Sequence, residues 1–329
     1  MNLPWPAWKQ IAKRMWIMMG FHNLSLLAAG TAFFAFLAIT PLLAATVMSY
    51  GLLVDVETVQ RQMLTIVKMV PADAASLIEE QLLGVVSTNS GVAGLTLVLS
   101  LSLAVFGGMR AAKGLIGALN IINSERESRN FFTVSLRAIG LTLAAIMIAL
   151  TGLVSGGVVA WLQLHTGELI GPIAETFFQL LTWLLAMILG TSGFALIMRY
   201  GPDRRPAKWR WLSPGSLLAT LAWVAVSFSF SFYVQYVSDY NATYGSLSAV
   251  VVFLMWLFLT SYAILVGALL NAEIERQTLV DTTVGEDRPM GERGAVMADI
   301  AIDRPVNANQ LEKRRRRGAE RLAHKSSED

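Results

Sequence analysis

The chain has few residues of the kinds that carry out chemistry at an active site. It contains no cysteine, and its three histidines, His22, His165 and His324, are far apart in the sequence. No His-Glu-x-x-His pair or His-x-His-x-Asp pattern occurs, and a catalytic metal needs several clustered ligands. The absence of cysteine also excludes disulfides and thiolate nucleophiles. We therefore expect a protein that is not an enzyme and that uses no metal or cofactor.

The polar residues of most interest lie at the two ends of the last apolar run. Asn241, Tyr244 and Gly245 precede this run, and Asn271 and Glu273 close it. They could line the gates of a pathway through a membrane. They could equally cap a helix and anchor it at the interface. Both interpretations fit the residue types.

Two further candidates belong to earlier apolar runs. Asn120 ends a stretch that resembles the one ending at Asn271. Pro41 lies inside the first run, where it removes a backbone hydrogen bond and predicts a kink or a break in the helix. Interrupted spans are common at the substrate sites of transporters, so Pro41 is a pathway candidate. We count Asn120 as a pathway candidate as well.

Composition indicates what kind of element must position these residues. Hydrophobic residues make up 54% of the chain and charged residues 15%, whereas soluble domains carry about 25% charged residues. Six uncharged runs are each long enough, at about 1.5 Å per residue, to cross a hydrocarbon layer of about 30 Å. The predicted spans are residues 23–54, 91–109, 138–164, 176–198, 212–238 and 244–272. The sequence thus predicts an all-α, polytopic membrane protein, a six-transmembrane-helix bundle.

Charge predicts the orientation of this bundle. Lysine and arginine are concentrated before the first run, between the second and third runs, and between the fourth and fifth. The alternate connections are acidic or nearly uncharged. Because basic loops stay in the cytoplasm, both termini are predicted to be cytoplasmic.

Three segments lie outside the predicted spans. Residues 1–22 have tryptophans and methionines at helical spacing and are predicted to form a cytoplasmic interfacial amphipathic helix. Residues 55–90 are predicted to form an external helical loop. Residues 277–329 are polar and are predicted to be a disordered cytoplasmic tail. We expect its basic block, residues 313–317, to attract anionic lipid rather than nucleic acid.

Other features concern helix packing and lipid contact. Small residues recur at intervals of four, as at Gly152 and Gly156 and at Gly215 and Ala219. Such stripes let helices approach closely in lipid. Arg126 and Arg129, in the second basic connection, are candidates for binding lipid headgroups, although they also serve the orientation rule.

Several stretches resemble the YihY/BrkB family of bacterial inner-membrane proteins. They are residues 27–42, 125–131, 204–215 and 240–273, within a likeness that covers roughly residues 10–276. The resemblance implies a six-span protein of the bacterial inner membrane. The family's names refer to serum resistance and to an old label of ribonuclease BN. We do not expect ribonuclease activity, because a metal-dependent nuclease needs clustered ligands that this chain lacks.

Two functions remain open at this stage. The first is a transporter or flippase-like protein for an amphiphilic or lipidic envelope substrate, with membrane lipids as its partners and no nucleic acid. The alternative is a non-transporting membrane scaffold for envelope assembly or for functions related to serum resistance. A scaffold predicts stable co-purifying proteins that are lost when the tail is deleted.

Overall fold

The computed structural model of the chain describes residues 4–51, 93–170, 172–236, 247–278 and 280–300. Its helices, in chain order, are α1 Trp5–Phe21, α2 Leu24–Gly51, α3 Ala93–Ile122, α4 Phe131–Ile170, α5 Pro172–Tyr200, α6 Trp209–Tyr236, α7 Ser248–Arg276 and α8 Val296–Asp299. These residues contain no strand, and one isolated antiparallel bridge joins Ala207 and Thr283. The predicted all-α fold is confirmed. The predicted external helical loop, residues 55–90, lies outside the described residues.

Helices α2 to α7 are long enough to cross a membrane. The shortest contain 28 residues and the longest, α4, contains 40, whereas about 20 suffice. By length and composition of the described residues, five helices qualify as spans, and six do if α1 and α2, bent by 65°, count as one span. The chain is therefore a multi-pass membrane protein, as predicted.

The helices extend beyond the predicted spans at the end where the basic residues lie. Helix α3 continues past Arg110 and Lys113 to Ile122, and α4 begins at Phe131 rather than at residue 138. Charge ends an uncharged run but not a helix, because lysine and arginine form helices well and have long apolar stems. Lys113, for example, lies within α3 and places its Nζ 4.4 Å from the ring centroid of Phe131, at the start of α4.

The six long helices form a closed ring. Each packs against its neighbours in the chain, and α7 completes the ring by packing against α2 as well as α6. Helix α7 is the most buried of the candidate spans and α5 the least. The main hydrophobic cluster includes Met18, Leu24, Leu119 and Leu269, and so lies where α1, α2, α3 and α7 meet.

Two of the predicted small-residue stripes differ in their packing. Where α6 crosses α7, a methyl group added to Gly267 would lie 2.7 Å from the Cβ of Ala219 and closer still to the carbonyl oxygen of Gly215. This crossing needs the small residues, as predicted. In α4, a methyl group on Gly152 would make only ordinary contact, and one on Gly156 would have nothing within 4 Å. The α4 stripe therefore does not mark a close helix contact among the described residues.

Of the kink or break expected at Pro41, the break is not present. Helix α2 runs from Leu24 to Gly51 and includes position 41. The chain instead bends by 65° between α1 and α2, where Asn23 has a φ of 49°. Asparagine tolerates this left-handed conformation better than most residues, which suits it to the bend.

The first part of the predicted disordered tail is folded. Residues 280–300, which we call the C-terminal strap, pack against the end of the ring, and Thr282, Thr283, Met297 and Ala298 are buried. The prediction of disorder from residue 277 is therefore wrong for the strap. Polar composition suggested disorder, but the strap is held by backbone hydrogen bonds from Lys208 to Thr282 and from Val284 to Pro206. Residues 301–329, including the basic block, lie outside the described residues.

Candidate functional site: the polar end of the ring

Most of the candidate residues meet at one end of the ring, which we call the polar end. Here α3, α5 and α7 end and α4 and α6 begin, joined by the connections 123–130 and 201–208. Helix α1 and the C-terminal strap contact the same end. Five sequence candidates lie at it: Asn120, Arg126, Arg129, Asn271 and Glu273. Asn241, Tyr244 and Gly245 lie outside the described residues, and Pro41 belongs to the middle of α2.

Glu273 is part of a buried ion-pair cluster near the end of α7. Arg14 of α1 donates from Nε to Oε2 of Glu273 at 2.6 Å and from Nη2 to its carbonyl oxygen at 3.2 Å. Arg276 donates from Nη1 to the second carboxylate oxygen at 3.0 Å. The side chain of Glu273 has no exposed surface and that of Arg14 only 3%. One carboxylate thus holds two arginines away from water and joins α1 to α7.

A second buried ion pair joins α7 to the connection between α5 and α6. Arg204 donates from both terminal nitrogens to the carboxylate of Glu275, at 2.5 and 2.6 Å. It also donates to Oδ1 of Asn123 at 3.1 Å. The hydroxyl of Thr282, in the C-terminal strap, donates to the same carboxylate. Two-point pairing of this kind fixes the geometry as well as the charge.

A third, less buried cluster joins the two connections to each other. Arg129 donates to both carboxylate oxygens of Glu127 at 2.6 Å, and its Nε lies 3.4 Å from Asp203. The hydrogen bonds from Arg129 hold the pKa of Glu127 below its ordinary value. Asn120 donates to Glu127 at 2.9 Å and accepts from the backbone N–H of Asp203 at 2.7 Å. Arg129 and Asn120 thus bridge protein groups.

Arg126 differs from Arg129, its partner in the predicted headgroup site. Its side chain is exposed and forms no hydrogen bond or ion pair with the part of the chain that the structure describes. The two arginines, which the sequence grouped together, are therefore in different environments. Of the pair, Arg126 is the one open to a ligand at the surface.

Asn271 attaches α7 to the first turns of α6. Its Oδ1 accepts from the backbone N–H of Gly215 at 2.7 Å, and its Nδ2 donates to the carbonyl oxygen of Leu212 at 3.0 Å. Pro214 lies inside α6 between these two residues. A proline opens the hydrogen-bond ladder of the preceding turn. The amide of Asn271 therefore bonds to backbone groups on both sides of the proline.

A small cavity lies between these clusters. It has a volume of about 20 Å³, and its polar lining comes from Asn123, Arg204, Asn271 and Glu275. A buried water needs roughly 10–15 Å³ and two to four polar partners. The cavity therefore suits a single water molecule and is too small for a lipid. At this point the described residues of the polar end are closely packed.

The C-terminal strap contacts the ring through Glu125. The backbone N–H of Val296 donates to Oε1 of Glu125 at 2.7 Å. Burial raises the pKa of this carboxyl group to about 7, and the hydrogen bond from Val296 and the charge of Arg204 only partly oppose the rise. The contact between strap and ring is thus linked to a group that titrates near neutral pH.

Raising the pH from 5 to 8 is therefore expected to loosen the C-terminal strap. Because the pKa of Glu125 is raised by folding, its contribution to stability is fully present below about pH 4.5 and is lost as the pH rises through about 7. Hydrogen–deuterium exchange of residues 280–300 in the full-length protein, corrected for intrinsic rates, measures this. Glu125→Gln, which is neutral at every pH, should keep the strap protected at pH 8. Equal protection of the native strap at pH 5 and pH 8 would contradict the expectation.

Sequence reasoning missed several residues of the polar end. In the sequence, Arg14 and Arg204 are only two of the basic residues that set the orientation, and Glu275 has no predicted role. A weak signal was available, because Glu273 and Glu275 both follow an apolar run closely and carboxylates in such places are usually paired. Sequence alone could not identify their partners, because Arg14 and Glu273 are 259 residues apart.

No group of three or more histidine, cysteine, aspartate or glutamate side chains in the described ranges is arranged to hold a metal ion. The side chains at the polar end instead pair with each other. Their arrangement can hold several chain segments together through charge. It can also release them if the pairs separate.

Comparison with known proteins agrees with the architecture. The family described as Virulence factor BrkB matches residues 15–290. YfkH of Bacillus subtilis, whose name calls it ribonuclease-like, is 28% identical over 217 residues, which are 63% of this chain and 74% of that protein.

Two relatives are named only as UPF0761 membrane proteins. The protein IL2447 of Idiomarina loihiensis is 26% identical over 163 residues, 49% of this chain and 55% of its own length. A protein of Chromohalobacter salexigens is 33% identical over 156 residues, 46% of this chain and 36% of its own length. The chain thus spans about half or less of these two relatives. No solved structure matches. The family match covers the described ring and most of the polar end, and the chain belongs to the Virulence factor BrkB family.

Proposed function

We propose that this protein is a transporter or flippase-like protein that moves an amphiphilic or lipidic envelope substrate across the bacterial inner membrane. In this proposal the polar end faces the cytoplasm and is the inner gate of the pathway, in its closed state. The N-terminal helix and the C-terminal strap, which both contact the polar end, are then cytoplasmic. The proposal assigns no chemical reaction to the protein.

One observation carries the proposal: buried ion pairs at the polar end join segments that are not neighbours in the chain. Arg14 of α1 pairs with Glu273 of α7, and Arg204 pairs with Glu275. A buried ion pair is often no more stabilising than well-packed apolar side chains of similar volume. Such pairs suit a contact that must exist in one state and separate in another. A gate that opens and closes has that requirement.

The distribution of charge supports an amphiphilic substrate. No lysine, arginine, aspartate or glutamate lies in residues 138–164, 176–198 or 212–235. A charged side chain at the bilayer centre costs about 3 kcal/mol and usually marks a path for ions or protons. A ring whose charges lie at its end suits a substrate with an apolar body and a polar headgroup.

A cross-link across the closed polar end tests the proposal. Nε2 of Gln277, just after α7, donates to Oε1 of Gln10 in α1 at 3.3 Å. Because the chain has no cysteine, a variant with Gln10→Cys and Gln277→Cys has two thiols only. A short bifunctional thiol reagent should join α1 to α7 and hold the gate closed. The probes are fluorescent phosphatidylethanolamine and phosphatidylglycerol in reconstituted vesicles, with bleaching of the outer leaflet as the readout.

The expected result is that the wild-type protein moves at least one labelled lipid and that the cross-linked variant does not. The same variant treated with a monofunctional maleimide is the control and should remain active. Movement that continues at the wild-type rate after complete cross-linking would contradict a gate at the polar end. A wild-type protein that moves neither lipid would contradict the flippase proposal and favour the scaffold.

Orientation can be tested separately. Reporter proteins fused before residue 4 and after residue 300 should both be active only in the cytoplasm, since both neighbouring segments contact the polar end. The fusion after residue 300 keeps the folded C-terminal strap intact. Reporters on opposite sides of the membrane would contradict the arrangement.

A further inference from the structure

Arg199, one residue before the end of α5, is held rigidly beside two aromatic rings. The central carbon of its guanidinium lies 4.5 Å from the ring centroid of Trp209 and 5.5 Å from that of Tyr200. Its Nη1 donates to the carbonyl oxygen of Ala207. Cation–π contacts and this hydrogen bond hold one end of the guanidinium in place.

The other side of this guanidinium has no hydrogen-bond acceptor among the described residues. Its Nε is buried and has no hydrogen-bond partner, and within the described residues Nη2 donates to no protein acceptor and no carboxylate pairs with Arg199. Arg14, Arg129 and Arg204 differ, because each pairs with a carboxylate. Because Nε is covered by protein, the group left for a ligand is Nη2, whose two N–H donors can bind a phosphate or carboxylate oxygen.

The surroundings of Arg199 are those of a membrane interface. Tyr200 is 42% exposed and Trp209 is 49% exposed, and they lie at the ends of the apolar helices α5 and α6. Half-exposed tyrosine and tryptophan at such positions lie at the level of the lipid headgroups. An anionic group that reaches Arg199 from the side of the exposed rings therefore comes from the bilayer.

We propose that Arg199, Tyr200 and Trp209 form a binding site for the phosphate of a membrane lipid headgroup. Nη2 of Arg199 donates to a phosphate oxygen, and the two rings lie beside the upper part of the lipid. This site is distinct from the ion pairs of the polar end, and it does not depend on whether the protein transports lipid.

The test measures lipid retention by the purified full-length protein in detergent, using native mass spectrometry. The probes are dioleoylphosphatidylglycerol and dioleoylglycerol, which has the same chains but no phosphate. The wild-type protein should bind the first lipid and not the second. Arg199→Gln should weaken phosphatidylglycerol binding at least about tenfold, the effect of losing one charged hydrogen-bonded contact. Arg199→Lys, which keeps the charge but not the planar guanidinium beside Trp209, should also weaken it.

Arg210→Gln is the matched control. Arg210 is exposed and near in sequence, and its guanidinium lies by Trp211. This change removes the same charge, so it should leave binding within about twofold if the site is specific. Trp209→Leu provides a second measurement if Arg199→Gln does not fold, and should weaken binding several-fold.

Three results would overturn the proposal. The first is equal weakening by Arg199→Gln and Arg210→Gln, which indicates general charge attraction. The second is unchanged binding in both Arg199→Gln and Trp209→Leu. The third is displacement of phosphatidylglycerol by millimolar inorganic phosphate, which indicates a site for a soluble anion. Retained binding in the presence of inorganic phosphate, lost only in the Arg199 and Trp209 variants, supports the lipid site.

Discussion

Replacing Glu273 with alanine is expected to lower the free energy of unfolding by about 3–5 kcal/mol, the usual cost of removing one partner of a buried ion pair. The change leaves Arg14 without the carboxylate that holds it at 2.6 Å, and Arg276 loses its contact at 3.0 Å. Both arginines are almost completely buried. The measurement is a denaturation curve in mixed detergent micelles, followed by tryptophan fluorescence.

The control for this prediction is Glu292→Ala. Glu292 is exposed, and its carboxylate forms no ion pair with the described residues, so the change should alter stability by no more than about 0.5 kcal/mol. Combining Arg14→Met with Glu273→Leu should recover part of the loss, because apolar side chains can replace a buried pair at little cost. A Glu273→Ala protein as stable as the Glu292→Ala protein would show that the cluster is not buried as described.

Replacing Gly267 with alanine is expected to destabilise the protein by about 3 kcal/mol, near the upper end of the range for overpacking. The added methyl group would lie 2.7 Å from the Cβ of Ala219 and would also meet the carbonyl oxygen of Gly215. Backbone cannot move aside as a flexible side chain can, so α6 and α7 must separate. The hydrogen bond from Gly215 to Asn271 is in the same contact and should weaken with it.

Gly117→Ala makes the same chemical change elsewhere. Gly117 is exposed on α3, and its new methyl group would have no heavy atom within 4 Å. Alanine forms helices better than glycine by about 1 kcal/mol, so this variant should be as stable as the wild type or more so. If the two alanine variants unfold at the same detergent concentration, then α6 and α7 do not cross at Gly267.

Both predictions concern α7, the element that connects most of the polar end. Its last turns carry Asn271, Glu273 and Glu275, which bind α6, α1 and the connection before α6, respectively. At 3.6 residues per turn, Asn271 and Glu275 share one face of α7, toward α6 and the connection before it, whereas Glu273 lies on the opposite face, toward α1. One helix end can therefore hold three other segments, and a rotation of α7 would affect all three contacts together.

Sequence alone was enough to predict the helical membrane architecture and the family. Long uncharged runs determine that the backbone must form helices in lipid, because hydrocarbon offers no other hydrogen-bond partners. The same reasoning placed Asn271 and Glu273 near the end of a helix, where the structure has them. It could not give helix bounds, because residues such as Arg110 and Lys113 interrupt a hydropathy pattern without interrupting the helix.

Only the tertiary structure decided which charged residues meet and whether the tail folds. Arg14 and Glu273 come together because α1 bends by 65° from α2 and reaches the end of α7, a contact between distant segments that leaves no local pattern. The C-terminal strap is predicted to be disordered because its composition is polar, whereas the hydrogen bonds and the burial of Met297 that hold it depend on other segments of the chain. The hydrophobicity of a segment depends only on its own residues, so the sequence predicts which segments span the membrane. Ion pairs between segments depend on how the helices of the ring pack, which the sequence does not show.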